Sequence, residues 1–216
     1  MKRYILSDND PFTSNAMVRS DIAENTNDVE LLSIYAYDPN ADVRRCVAGN
    51  EHTPSELLDE LSGDYDEDVR WEIAYNSNTS PETLDKLSTD VNTSIKRAVA
   101  NNHNTQASTL LRMSTSDDLQ IRRSVARHHN TPVEALDKLK SDGYYYVVET
   151  VAENPNTPPE TLAELYESDG YQVRLNVAKN PNTPYELLEH IVHGPDGFDI
   201  RQAARLNPTY QRGQMS

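Results

Sequence analysis

What most limits the fold of this chain is a repeat: an apolar residue, a basic residue after it and then an apolar–alanine pair recur along almost the whole sequence. The apolar anchors are Val18, Val43, Val69, Ile95, Ile121, Val147, Val173 and Ile200, spaced by 25, 26, 26, 26, 26, 26 and 27 residues. Four positions after each anchor stand Ile22, Val47, Ile73, Val99, Val125, Val151, Val177 and Ala204, and alanine follows next in seven of the eight units, Arg205 being the exception. Seven positions past the anchor lies Asn25, Asn50, Asn76, Asn102, His128, Asn154, Asn180 or Asn207. A fixed period of this length marks an array in which each unit is one supersecondary element that buries its faces against its neighbours.

Each unit reads as two short helices. The anchor, the residue four later and its alanine neighbour share one side of a helix turning about 100° per residue. The recurrent Asn is expected just past that helix in a left-handed conformation, which Asn tolerates. Proline after it, in Asn154-Pro155, Asn180-Pro181 and Asn207-Pro208, blocks continuation. The second helix is announced by Thr53-Pro54-Ser55-Glu56, Thr131-Pro132-Val133-Glu134, Thr157-Pro158-Pro159-Glu160 and Thr183-Pro184-Tyr185-Glu186. There Thr is expected to cap the free backbone amides, with Pro in the first turn and Glu reaching back. Thr79-Ser80-Pro81-Glu82 shifts the proline by one; Thr105-Gln106-Ala107-Ser108 lacks both Pro and Glu, which predicts the weakest cap. Core leucines follow: Leu58 and Leu61, Leu84 and Leu87, Leu136 and Leu139, Leu162 and Leu165. Helices of about two turns are marginal alone, so the units must stack. The expected fold is an all-α solenoid of about eight repeats over residues 18–208, with an N-terminal cap at 1–17 and a flexible C-terminal tail at 209–216.

The unit Val173-Arg174-Leu175-Asn176-Val177-Ala178-Lys179-Asn180-Pro181-Asn182-Thr183-Pro184-Tyr185-Glu186-Leu187-Leu188 resembles the leucine-rich repeat variant (LRV) family, and the match extends over residues 18 to about 208. The resemblance implies a right-handed α-solenoid related to HEAT-type arrays, with the second helix of each unit of 3₁₀ or mixed character. Some family members carry a four-cysteine iron–sulfur domain ahead of the repeats. This chain has a single cysteine, Cys46, inside a repeat, so that cofactor is not carried over. The family offers no shared catalytic activity to inherit.

Composition excludes further classes. One cysteine leaves no disulfide framework and no multi-thiolate metal site. No apolar run approaches the length of a membrane span, and the N-terminus turns acidic at Asp8 after three apolar residues, unlike a signal peptide. Gly-rich phosphate loops, nucleophile elbows and zinc-protease motifs are absent, so no enzyme is expected. His103 and His129 occupy equivalent positions, with His128 beside His129. No carboxylate or cysteine recurs with them at ligand spacing, so they read as polar turn residues, and neither metal nor other cofactor is expected. A cytoplasmic, monomeric protein without membrane association is the accompanying expectation.

Seven of the eight residues that follow the anchors are cations: Arg19, Arg44, Arg70, Lys96, Arg122, Arg174 and Arg201, with Val148 the exception. Their angular position, about 100° from the anchor, lies between the two core positions at about 40° and 140°. Such a side chain is expected to lay its stem between repeats and to pair with loop aspartates such as Asp38, Asp64, Asp90 or Asp142. The second, third and sixth positions after the anchor are expected to face solvent. In units two to five they hold Arg45, Cys46 and Gly49; Trp71, Glu72 and Tyr75; Arg97, Ala98 and Asn101; Arg123, Ser124 and Arg127.

An exposed Trp flanked by Arg is the composition of an interaction hot spot, and equally of a base-stacking surface with phosphate contacts. Alternatively, Trp71 covers a neighbouring helix and the arginines are ordinary surface charge. Arg45, Trp71, Tyr75, Arg97, Arg123 and Arg127 are therefore the candidate partner-binding residues. Tyr144, Tyr145 and Tyr146 form a secondary patch, or else plug an irregularity in stacking. The formal net charge is −15, but the seven residues from each anchor onward hold 13 basic against 5 acidic side chains. The leading expectation is a non-catalytic interaction scaffold that binds a protein partner through its first helices. Nucleic-acid binding through the same stripe, or an acidic face that mimics nucleic acid, are the alternatives.

Overall fold

The computed structural model describes residues 15–168 and 170–214. Within them sixteen helices follow one another and there is no strand. The chain divides into two compact units at Thr105 and Gln106. Unit 1 holds α1 (Ala16–Asn25), α2 (Val29–Tyr35), α3 (Ala41–Gly49), α4 (Ser55–Leu61), α5 (Glu67–Tyr75), α6 (Pro81–Leu87) and α7 (Thr93–Asn101). Unit 2 holds α8 (Ala107–Met113), α9 (Leu119–Arg127), α10 (Val133–Leu139), α11 (Tyr145–Glu153), α12 (Pro159–Tyr166), α13 (Tyr171–Lys179), α14 (Tyr185–His193), α15 (Phe198–Leu206) and α16 (Pro208–Gly213). Residues 1–14 of the expected N-terminal cap and the last two of the expected tail lie outside the described residues.

In each unit the odd-numbered first helices pack on one another in succession, α1 on α3 on α5 on α7 and α9 on α11 on α13 on α15, more closely than successive second helices do. The first helices therefore form the tighter, inner layer of each stack. From Val43 to Ile200 the anchors are buried, as are the alanines at Ala48, Ala74, Ala126, Ala152 and Ala178 and the expected core leucines Leu58, Leu61, Leu84, Leu87, Leu136, Leu139, Leu162 and Leu165. Tight inner packing also corrects one expectation: the third position after the anchor lies between adjacent first helices. Ala98 is buried there, and Cys46, Glu72 and Ser124 are half-buried.

The second helices are α-helical, not 3₁₀. Leu84 N donates to Ser80 O at 3.0 Å and Leu110 N to Gln106 O at 3.0 Å, both with α-helical spacing. Tighter bonds appear at the ends, as in Leu57 N to Pro54 O at 3.1 Å and Ser62 N to Asp59 O at 3.1 Å. Such mixed ends are the usual way short helices satisfy their terminal groups.

The turn between the two helices works differently from the capping scheme expected of it. No described residue has positive φ; Asn76 sits at φ −65°, ψ 130°. Its role lies in the side chain. Asn76 Nδ2 donates to Ala48 O at 2.7 Å and Asn50 O at 3.0 Å, both in the preceding repeat, while its Oδ1 accepts from Asn78 N at 2.9 Å. Asn50, Asn102, Asn154, Asn180 and Asn207 reach back in the same way. The alanine that precedes each helix end leaves its carbonyl accessible to this donor. A second, outer row follows two residues later, where Asn78 donates to Glu51 O at 2.6 Å and Asn104 to Ser77 O at 2.7 Å.

The threonines are donors rather than caps. Thr53 Oγ1 donates to Val47 O at 2.6 Å, and Thr105 to Val99 O at 2.6 Å. These bonds satisfy the carbonyl end of the first helix from within the same repeat, and the hydroxyls are fully buried. Thr105 makes its bond although the Pro and Glu that usually follow are missing. In α6 the side-chain cap is Ser80, which accepts from Thr83 N at 3.2 Å.

Residues 209–213, read from the sequence as the start of a flexible tail, belong to α16, which begins at Pro208. Pro208 suits the first helical position, Asn207 accepts from Thr209 N at 2.9 Å, and Tyr210 is buried in a stack on Tyr185 with ring centroids 5.6 Å apart. Among the described residues no helix is long and apolar enough to cross a membrane.

Candidate interaction surface

Four of the seven cations after the anchors, Arg19, Arg44, Arg70 and Arg122, form the expected pairs, and Arg174 meets Asp196 instead at 3.2 Å. Arg44 Nε and Nη2 grip Asp64 at 2.6 and 3.0 Å, and its Nη1 donates to Asp38 O at 2.8 Å. Arg19–Asp38, Arg70–Asp90 and Arg122–Asp142 are forked in the same way. Each fully engaged arginine thus ties the loop before its helix to the loop after the next one. Tyr65 covers the Arg44 guanidinium, with its ring centroid 4.7 Å away. Where the arginine is replaced, the acid 20 residues on is gone as well: Lys96 is matched by Ser116 and Val148 by Ser168. This conjunction marks the row as structural; it is not an available basic surface.

Burial disfavours the Asp64 carboxylate, but the Arg44 fork, the Asp66 amide and the charges of Arg44 and Arg70 outweigh it, and the group titrates below the usual carboxylate range. Asp38, Asp90 and Asp142 are shifted the same way for the same reasons. A carboxyl more acidic in the folded than in the unfolded chain contributes stability that is complete above the unfolded value of about 4. That contribution is lost as pH falls through the lower folded value. Unfolding free energy should therefore drop steeply below about pH 4, and Asp64→Asn should make that acid slope shallower. An Asp64→Asn chain with an unaltered slope in acid denaturation would exclude the pair as an acid-sensitive element.

The surface candidates fall into two groups. In unit 1, Trp71 and Tyr75, one turn apart on α5, are exposed and stacked, with centroids 5.3 Å apart and planes within 7°. Arg97 is exposed on α7. Arg45 is half-buried on α3, 3.4 Å from Glu72 and 4.0 Å from Asp42. The Trp71 side of the stack borders a groove of about 670 Å³ that Asp42, Arg45, Glu67, Asp68 and Glu72 also line. In unit 2, Arg123 and Arg127 line a groove of about 480 Å³ with Glu149, Glu153 and Lys179.

The stripe is thus less basic than the residue count suggests. Asp42, Glu67 and Asp68 precede the anchors and escape that count, yet they occupy the first turns of α3 and α5, where the helix dipole favours acids.

Tyr144 belongs partly to the arginine row: its ring centroid lies 5.5 Å from the Arg122 guanidinium, and its amide donates to Asp142 at 2.9 Å. The Tyr145 ring lies against Gly170 of the next repeat, where a Cβ would come within 2.6 Å of it. Tyr146 packs edge-on against Tyr145 and is the most exposed of the three. Tyr171 and Phe198, both exposed, repeat the helix-initial position of Tyr145 in the next two units, a recurrence that sequence reading overlooked.

His128 is buried and replaces Asn in the inner row, its Nδ1 accepting from Asn130 N at 3.0 Å, and its ring stacks on His129. Among the described residues no group of three or more His, Cys, Asp or Glu is placed to hold a metal.

The chain matches no family model, and no curated relative matches it. Solved structures do. A protein described as a leucine-rich repeat variant with a novel repetitive structural motif is 25% identical, with 91% of this chain and 78% of that one covered at a TM-score of 0.65. The E. coli protein YibA is 15% identical, with 88% and 85% covered and a TM-score of 0.50. An archaeal HEAT-like repeat protein from Thermococcus onnurineus NA1 is 12% identical over 99% and 100%, with a TM-score of 0.42. In fold, the chain is an all-helical repeat solenoid similar to that leucine-rich repeat variant.

Proposed function

We propose that the chain is a non-catalytic interaction scaffold that binds a protein partner through the first-helix face of unit 1, around Trp71. The observation that carries this reading is the Trp71–Tyr75 stack. Two large rings stand exposed side by side on an inner-layer helix, and Trp71 borders a formed groove. Ordering them costs little, since each ring has only two rotatable side-chain bonds and the stack already holds both. Aromatic residues arranged this way supply much of the energy of protein interfaces. Structural roles for the neighbouring conserved-spacing residues are accounted for by the Asn, Thr and Arg–Asp rows. Neither ring of the pair has such a role, and neither position carries an aromatic residue in the other repeats.

Selection of a displayed random-peptide library on the folded chain tests this. Ligands should lose at least about tenfold in affinity with Trp71→Ala/Tyr75→Ala, as loss of a hot spot entails. The circular dichroism melt should keep its cooperative shape, with Tyr75→Ala alone changing it little because that side chain is 70% exposed, whereas Trp71 at 37% also contributes some packing. Ligands that bind the double variant as tightly as the parent would reject this face as the site.

A further inference from the structure

The aromatic stack separates two grooves of different chemistry. Beside Tyr75 the lining is mostly uncharged, with Gly49, Ala98, Asn101 and Asn104 among its residues and Glu51 its one carboxylate. Beside Trp71, four carboxylates (Asp42, Glu67, Asp68 and Glu72) face one guanidinium, that of Arg45. Arg45 is already engaged by Asp42 and Glu72. Glu67 accepts from Asn92 Nδ2 at 2.7 Å, a neutral donor, and the nearby Arg70 guanidinium, which also feels Glu67, is already forked to Asp90. Internal pairing therefore leaves the groove negative. Its carboxylates line one groove and act on a ligand together.

An indole face standing open beside fixed negative charge suits a cation on an apolar stem, which the ring quadrupole and the carboxylates attract at once. Nucleic acid or an acidic peptide would have to bring its own charge up against four carboxylates. Resting on the protein-partner reading above, we infer that this groove takes a lysine- or arginine-rich segment of the partner. One cationic side chain lies over Trp71, and its neighbours meet Asp42, Glu67, Asp68 and Glu72.

Fluorescence anisotropy with three labelled probes tests the assignment: a Lys/Arg–Gly decapeptide, its Asp/Glu–Gly counterpart and an oligothymidylate of matching length. The basic peptide alone should bind, more weakly as salt rises. Trp71→Ala should weaken it about fivefold or more. Asp42→Asn/Asp68→Asn changes only exposed side chains, and should weaken binding and flatten its salt dependence. Glu134→Gln/Glu160→Gln, which removes the same charge from the second helices of unit 2, should leave binding as it was. Equal losses in the two double variants would mean attraction to net charge alone, and binding of the acidic peptide or the oligonucleotide at Trp71 would reverse the assignment. Should library ligands require Trp71 without being basic, the partner chemistry is wrong and the surface stands. Should neither the library nor the basic peptide require Trp71, both are wrong.

Discussion

Asn76→Ala is expected to destabilise the fold by about 3–5 kcal/mol, because a single truncation strips three buried or half-buried backbone groups of their partner. Ala48 O and Asn50 O lose the Nδ2 donor, and Asn78 N loses its acceptor. Water cannot replace them easily, since Asn76 is only 7% exposed. For a unit of about a hundred residues this corresponds to a fall in Tm of roughly 15–30 °C. Trp71 is the only tryptophan and lies in the adjoining helix, so its fluorescence reports the transition. The chain itself supplies the comparison. His128 occupies the equivalent position and still accepts from the amide two residues on, so Asn76→His should cost clearly less than Asn76→Ala. Equal losses would show that the side-chain bonds are not what the position contributes.

Arg44→Ala should cost a similar amount, about 3–5 kcal/mol, by a different route: it leaves the Asp64 carboxylate buried without its counter-charge. Both side chains are 6% exposed. Arg44→Lys should recover only part of the loss, because an ammonium cannot hold both oxygens of Asp64 and also reach Asp38 O. Replacing both partners by apolar residues, Arg44→Met/Asp64→Leu, should restore part of it, since the buried charge is then gone from both sides although Asp66 N and Asp38 O lose their side-chain partners. Urea denaturation of the parent, Arg44→Met, Asp64→Leu and the double variant gives the coupling energy directly. A double variant as unstable as Arg44→Ala would mean that packing of the long stem, not charge, holds this position.

The repeat and the two-helix unit were legible because apolar spacing reports directly on which side of a helix is buried. The Arg–Asp pairs were legible too, since an angle between two core positions leaves a long cation few places to go. The Asn and Thr roles were not. A residue type at the end of a helix is compatible with a cap or with a reach to a neighbour, and the neighbour's carbonyls come into range only once repeats stack. Recurrence of Asn at a second offset, in Asn78, Asn104, Asn156 and Asn182, was the available sign that more than a turn was being specified. At the candidate surface, Trp71 and Tyr75 stood out by residue type. Their electrostatic setting did not, because Asp42, Glu67 and Asp68 enter the groove from the helix starts of two different repeats.

The inner Asn row has a direction. Every one of its donors belongs to the later repeat and every backbone acceptor to the earlier one, whereas Thr53 and its counterparts close bonds inside a single repeat. During synthesis the acceptors emerge first. A repeat already stacked on its predecessor, with its own Thr bond made, presents ordered carbonyls as a template on which the next turn docks. Assembly can thus keep pace with translation from the N-terminal side, each repeat waiting only for the next few dozen residues.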